Sequence, residues 1–299
     1  MYMKRFMIGQ HECFDDTKYA RDFRKDFYGI EACMLKNESE IDKLMAVCVR
    51  DNLNLGIHFP LRGWIAKHRD PQFLSNDSEI RDYFYKVMEE EFLYLQKIKP
   101  KYILFHYPKP VILDDRVDWK IWRFGDKSEY IFESNYTFEE LRESSEQLFG
   151  WLTKKAEEYN FTPVLELDAL NRYIYETNIL EELLKKYPKV KLCLDTGRLH
   201  YQDRIDENFD AKKIIKRFAK YAEVIHLWNV KVTEIVENNH YPTLPDLKVQ
   251  EGWAPIEEYM KIISEENNHA KIMFEHMSQL INDEELQSCY DWIDGLTGE

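Results

Sequence analysis

TPVLELD (162–168), KLCLDT (191–196), EVIHLWN (223–229) and KIMFEH (271–276) are four apolar runs of strand length. Each reaches, near its C-terminal end, a side chain able to hold a divalent metal: Glu166, Asp195, His226 and Glu275. Two earlier runs end the same way, LNLGIHF (53–59) at His58 and KYILFHY (101–107) at His106. A scatter of core histidines and acids would not fall at the ends of successive runs. A parallel barrel gathers the C-terminal ends of its strands around one mouth, where the working residues of such folds sit. Side chains more than 200 residues apart, from His58 to Glu275, can therefore meet in one pocket.

Working outward, RFMIG (5–9) and FYGIEACML (27–35) bring the strand candidates to eight. Between the runs lie amphipathic stretches of helix length. SEIRDYFYKVMEEEFLYLQKI (78–98) places Ile80, Phe84, Val87, Met88 and Phe92 close to a 3.6-residue period. Thr137 and Glu140 have the spacing of a capping box at the head of TFEELRESSEQLFGWLTKKAEEY. Eight strands alternating with eight helices, strands apolar on both faces and no break in composition predict a single (β/α)8 barrel over residues 1–299. A doubly wound open sheet is the alternative, but neither GxGxxG nor GxxxxGK[ST] occurs. One connection is out of proportion. From Tyr107 to Tyr136 about thirty residues lack a clear period, yet they carry Trp119, Trp122, Phe124 and Tyr130. Aromatic content and length predict an ordered lid over the mouth; a hairpin on the barrel's side is the plainer reading.

Composition narrows the class. The formal charge is −14, which argues against nucleic acid as a partner, because phosphate neutralisation needs a basic face. Five scattered cysteines without a CxxC pair suit reduced thiols and a cytoplasmic setting. MYMKRFMIGQ runs into charged HECFDD too early for a signal peptide, and no window approaches the roughly 18 apolar residues of a membrane span.

Side chains alternate along a strand between barrel interior and helix layer. Glu166 shares a face with Val164, Asp195 with Cys193, His226 with Val224 and Glu275 with Met273, so all four can face inward together. Two Glu, one Asp and one His form a hard donor set suited to Mn, Mg, Co or Zn. A metal-free barrel with buried polar residues at these points is the bland alternative.

These segments resemble the xylose isomerase-like barrel superfamily, which includes sugar isomerases and epimerases and the endonuclease IV nucleases. The resemblance covers essentially the whole chain. It rests on Glu166 in VLELD, Asp195 in CLDTG, His226 in VIHLWN and Glu275 in IMFEH, in order on strands five to eight. It implies that these four bind a divalent metal and that Glu166 and Glu275 act as acid and base. The reaction implied is isomerisation or epimerisation of a sugar or sugar derivative, phosphorylated or acidic variants included, by proton transfer through a metal-stabilised enediolate. It also implies a small-molecule partner and allows a homo-oligomer. His58 in GIHFP and His106 in LFHYP match the nuclease branch, as a second metal position bridged by Glu166 or as substrate contacts. The nuclease's third site does not match. Arg198 stands in DTGR where that branch has a histidine, and Asn238-Asn239-His240 replaces its Asp-x-His. A guanidinium cannot ligate a metal. An endonuclease IV-like hydrolase with fewer than three metals is the second reading, and a non-catalytic metabolite-binding barrel the third.

Position along the chain adds substrate-binding candidates. Arg198 is suited to hold an anionic end. His200, Lys231, His240, Trp253 and Arg62 follow strand ends closely enough to reach the mouth, Trp253 as a stacking face for a sugar.

Overall fold

A computed structural model describes residues 4–66 and 68–298. Met1–Met3, on which the reading of the N-terminal segment partly rests, lie outside the described residues, as do Lys67 and Glu299. Eight parallel strands close into a barrel: β1 (Phe6–His11), β2 (Gly29–Cys33), β3 (Asn54–His58), β4 (Tyr102–Tyr107), β5 (Thr162–Leu167), β6 (Lys191–Asp195), β7 (Ala222–Leu227) and β8 (Lys271–Phe274). Each pairs with its chain neighbours, and β8 closes on β1. This is the (β/α)8 barrel expected from the alternating runs.

The pleat divides the strand residues as the alternation requires. Met7, Tyr102, Leu104, Val164, Cys193, Val224 and Met273 form one interior cluster, while Ile8, Ile57, Phe105, Leu165, Leu194 and Ile225 join the larger core between strands and helices. Glu166, Asp195, His226 and Glu275 each sit two residues beyond a member of the interior cluster, so the inward phase holds for all four.

The helical layer is richer than the pattern suggests. Among the described residues there are ten α-helices: α1 (Asp16–Asp22), α2 (Glu38–Asp51), α3 (Ser78–Leu95), α4 (Phe138–Tyr159), α5 (Arg172–Tyr175), α6 (Ile179–Lys186), α7 (Thr196–Ile205), α8 (Ala211–Phe218), α9 (Ile256–Glu266) and α10 (Asp283–Thr297). α7 escapes a periodicity reading because Thr196, Gly197, Leu199, His200, Tyr201 and Gln202 are all inside, and exposed Asp203 and Arg204 come only near its end, too late to mark a period. On α3, Phe84, Val87, Met88 and Phe92 face the core as expected, but Ile80 is exposed. The Thr137–Glu140 capping box is present at the head of α4, with both reciprocal bonds made. No helix among the described residues is long and apolar enough to cross a membrane. All five cysteines are free thiols.

The 107–136 connection is ordered. Val111–Leu113 and Tyr130–Phe132 pair as a parallel two-stranded sheet, not as a hairpin. Trp119 and Trp122 pack with Tyr201 of α7 and with Trp228, Val230 and Val232. A second small sheet, Asn229–Val232 with Val236–Tyr241, follows β7.

Gly56 shows how the barrel floor supports its mouth. A Cβ at Gly56 would lie 2.2 Å from the Tyr102 ring, so only glycine leaves room for that ring inside the barrel. The Tyr102 hydroxyl then donates to Glu31 Oε2 at 2.6 Å. Gly56→Ala is expected to overpack this layer and cost about 1–3 kcal/mol. Urea unfolding would measure it, and an unchanged midpoint would refute the packing argument.

Candidate metal centre and mouth cavities

Register brings the candidate ligands together. His106 on β4 is level with Glu166 on β5, and Asp195 on β6 is level with His226 on β7. Among the described residues three overlapping groups have ligand atoms within 4.8 Å of one another: His58, His106 and Glu166; Glu166, Cys193 and His226; Asp195, His226 and Glu275. Glu166 and His226 are the shared members. His226 Nδ1 lies 3.4 Å from Glu166 Oε2 and 3.2 Å from Glu275 Oε2. His58 Nε2 and His106 Nε2 lie 3.3 Å and 3.4 Å from the same Glu166 oxygen.

Two of these atoms, Glu166 Oε2 and His226 Nδ1, are buried and make no hydrogen bond. Buried polar atoms are normally satisfied. An imidazole nitrogen and carboxylate oxygens left facing one another without a bond are the arrangement a cation completes. The donors fit a divalent ion held by Glu166, Asp195, His226 and Glu275.

The other atoms of the cluster are held by partners that aim them. His226 Nε2 faces Glu31, at 3.1 Å from Oε1, which leaves Nδ1 to the centre. Asp195 caps α7: its Oδ1 accepts from the Arg198 amide at 2.8 Å, and its Oδ2 accepts from Trp228 Nε1 at 2.9 Å. Arg198, one turn into α7, places Nε 3.1 Å from Glu166 Oε1 and Nη1 3.0 Å from Asp168 Oδ1. The guanidinium thus takes one Glu166 oxygen and leaves the other to the centre. His106 Nδ1 lies 3.1 Å from Asp70 Oδ2, which orients the ring. Lys109, buried, reaches Asp168 Oδ2 at 3.0 Å and Asp70 Oδ2 at 3.4 Å.

Charge crowding shifts protons in opposite directions. Burial would raise Glu166, but His106 and His226 hold it well below the usual carboxylate range. Burial would also raise Glu275, yet His226 and then His240 bring it down to about 2. Asp195 goes the other way, to about 8, through burial and the neighbouring Glu275 and Glu166 charges. His226 is held well above the ordinary imidazole value: burial opposes this, but Cys193, Glu31, Glu275 and Glu166 outweigh it. Burial opposes the rise of His106 as well, and Asp70 and Glu166 outweigh it.

Cavities surround the centre. One of about 470 Å³ is lined by His106, Lys109, Asp168 and Arg198 from below and by Trp122 and Phe124 of the 107–136 segment from above. A second, of about 180 Å³, is lined by Trp122, Arg198, Tyr201, Trp228 and His240. A third, also about 180 Å³, lies on the β1–β2 side against His58, Glu31 and Glu275.

The remaining sequence candidates divide by location. His240 stacks on Trp228 with ring centres 4.1 Å apart and borders the second cavity. His200 is buried and bonded through Nε2 to the Gly252 carbonyl at 3.0 Å, so it fastens a loop. Lys231 pairs with Glu237 at 3.1 Å on the outer sheet. Trp253 is buried against Tyr241 in the rim, and Trp122 and Trp228 supply the cavity indoles instead. Arg62 is turned into the helix layer, 2.6 Å from buried Glu91 Oε2 and over the Tyr94 ring. Four contributors were not singled out from sequence: Glu31, Asp70, Lys109 and Trp228. Glu31 was detectable as the one charge inside the apolar run FYGIEACML, and Trp228 as an indole two residues past His226. Asp70 and Lys109 sit in loops with no periodic signal.

No family model and no curated protein matches this chain. Solved structures match its fold. A D-tagatose 3-epimerase-like protein is 16% identical with a TM-score of 0.62, over 96% of this chain and 98% of that one. An AP endonuclease, family 2, from Brucella melitensis is 14% identical at 0.58, over 95% and 97%. The IOLI protein with a binding zinc atom is 10% identical at 0.59, over 98% of each chain. The likeness is one of fold: each of these neighbours shares the barrel with this chain over nearly its whole length.

Asp195, His106 and His226 all keep their protons to higher pH in the folded chain than unfolded, where Asp and His titrate near 3.9 and about 6.5. Between about pH 7 and 8, where the lowered imidazoles of His11, His200, His240 and His276 are largely neutral in both states, the folded state therefore binds more protons and cation-free stability falls as pH rises. The depressed carboxylates, ionised in both states there, do not contribute to the slope. A cation needs its ligands deprotonated, so its stabilisation grows over the same window. Melting curves with EDTA or Mn²⁺ at several pH values would measure both trends. A stripped protein whose Tm climbs from pH 7 to 8 would contradict this electrostatic account.

Proposed function

We propose that this protein is a divalent-metal-dependent isomerase or epimerase acting on a sugar or sugar derivative. The observation that carries this reading is the convergence of Glu166 and Glu275, from β5 and from just past β8, on the single buried nitrogen His226 Nδ1. Two carboxylates arriving from different strands suit removal of a proton from one face of a carbon and its return on the other. Glu166, Asp195, His226 and Glu275 would hold a divalent ion, which would supply Lewis acidity to the site.

The chain's own residues do the rest of the work in this reading. Glu275, part-exposed toward the β1–β2 cavity, exchanges a proton with the substrate carbon, and Glu166 serves the opposite face. Arg198 and the imidazoles of His58 and His106 keep Glu166 ionised and aimed. Trp122 offers a flat apolar face for a sugar ring, and Trp228, stacked under His240, closes the same space. The 107–136 segment acts as the lid, since Trp122 and Phe124 form the cavity's upper wall. The epimerase-like neighbour speaks for the same class of chemistry.

A hydrolase reading has one observation in its favour, the second ligand group formed by His58, His106 and Glu166. Arg198 speaks against a trinuclear centre, because its guanidinium occupies Glu166 Oε1 and lies 3.7 Å from Asp195 Oδ2.

Incubation with a panel of ketoses and aldoses in D₂O, with Mn, Co, Mg or Zn, is expected to place deuterium at a carbon beside the carbonyl of at least one sugar. NMR reads the exchange. Glu166→Gln and Glu275→Gln should each slow it by about 10²–10⁴-fold. No exchange in any sugar with any of these metals would end the isomerase reading. Cleavage of abasic-site DNA with two bound zinc ions would install the hydrolase in its place.

A further inference from the structure

The first and second mouth cavities meet at three residues that line both, Trp122, Arg123 and Arg198. Two of the three are guanidinium groups, in a chain whose net charge is −14. Their donors are unequally used. Arg198 directs Nε and Nη1 at Glu166 and Asp168, while its Nη2 has no partner among the described residues. The guanidinium of Arg123, an exposed residue at the wall of the first, polar cavity, has no ion-pair or hydrogen-bond partner among the described residues. The acids that share this cavity are directed at other groups. Asp70 faces Arg69, His106 and Lys109; Asp168 faces Lys109 and Arg198. Glu129 lies 3.8 Å from Lys109, and Asp126 lies 3.5 Å from His68.

We infer that the junction between the cavities is an oxyanion subsite, and that the substrate is a sugar carrying a carboxylate or a phosphate. This rests on the sugar-isomerase reading and names the substrate class within it. Guanidinium forks bind both groups through paired N–H donors. Arg123 and the free Nη2 of Arg198 flank the anion, and the Trp122 indole, stacked on Tyr201 at 4.8 Å, forms a rigid wall beside it. Arg198 then links the two ends of the substrate: it holds Glu166 at the reacting end and the anion at the other. Arg123 comes from the lid segment, so the anion also ties that segment to the barrel.

Calorimetric titration with D-glucose, D-glucuronate, D-glucose 6-phosphate and inorganic phosphate tests this, on EDTA-treated and on Mn²⁺-loaded protein. The anionic sugars are expected to bind at least about tenfold more tightly than D-glucose, as a hydrogen bond to a charged group warrants. Preference for glucuronate identifies a carboxylate site and preference for the 6-phosphate a phosphate site. Arg123→Gln should reduce the preference about tenfold and Arg123→Lys should retain part of it, with circular dichroism confirming the fold of each. Equal binding of all three sugars, or a preference that survives Arg123→Gln intact, overturns the subsite. Binding needs no turnover, so the two ideas fail separately. Anion preference without deuterium exchange removes the isomerase reading alone, and exchange confined to neutral sugars removes the subsite alone.

Discussion

Buried carboxylates at one barrel mouth must be matched by positive charge, and most of the local architecture answers to that demand. Glu31, Glu166 and Asp195 are almost fully inside, and Glu275 stands beside them. Charge taken out of water without a partner is costly. Two imidazoles and one guanidinium supply part of the balance, and the oxygen and nitrogen atoms still unsatisfied point to a cation for the remainder. Asp195 has two parts in this. It begins α7 as its N-cap, and α7 carries Arg198 one turn later into contact with Glu166 and Asp168. The acid that needs compensation thus starts the helix that brings the compensating base.

Support runs inward from both ends of the barrel. From the floor, Gly56 makes room for Tyr102, Tyr102 donates to Glu31, and Glu31 sits against His226 Nε2. From the loops, Asp70 orients His106, and Lys109 bridges Asp70 and Asp168. Strands place the buried acids and imidazoles with the precision of a hydrogen-bonded register, and loops adjust their charge. This division is the usual one in α/β barrels, where chemistry varies with the loops on a constant frame.

Strand-borne features were legible in the chain because they obey a short local rule. Alternation with period two put Glu166 with Val164 and His226 with Val224 on one face, and both pairs face inward together. The capping box at Thr137 was legible for the same reason, since it depends on two residues three apart. Features without local periodicity were not. α7 is mostly buried through Gln202, with Asp203 and Arg204 exposed only near its end, and shows no stripe. Arg62 and Trp253 lie close to strand ends in sequence, but proximity along the chain does not say which way a loop turns. The first found buried Glu91 and the second the rim beside Tyr241.

The chain by itself therefore determined the barrel and the inward phase of Glu166, Asp195, His226 and Glu275, because hydrophobic alternation and strand order are properties of neighbouring residues. Only the tertiary structure decided which partners complete them. Asp70, Lys109 and Arg123 come from loops, and their roles depend on distances across the mouth that no spacing in the sequence encodes.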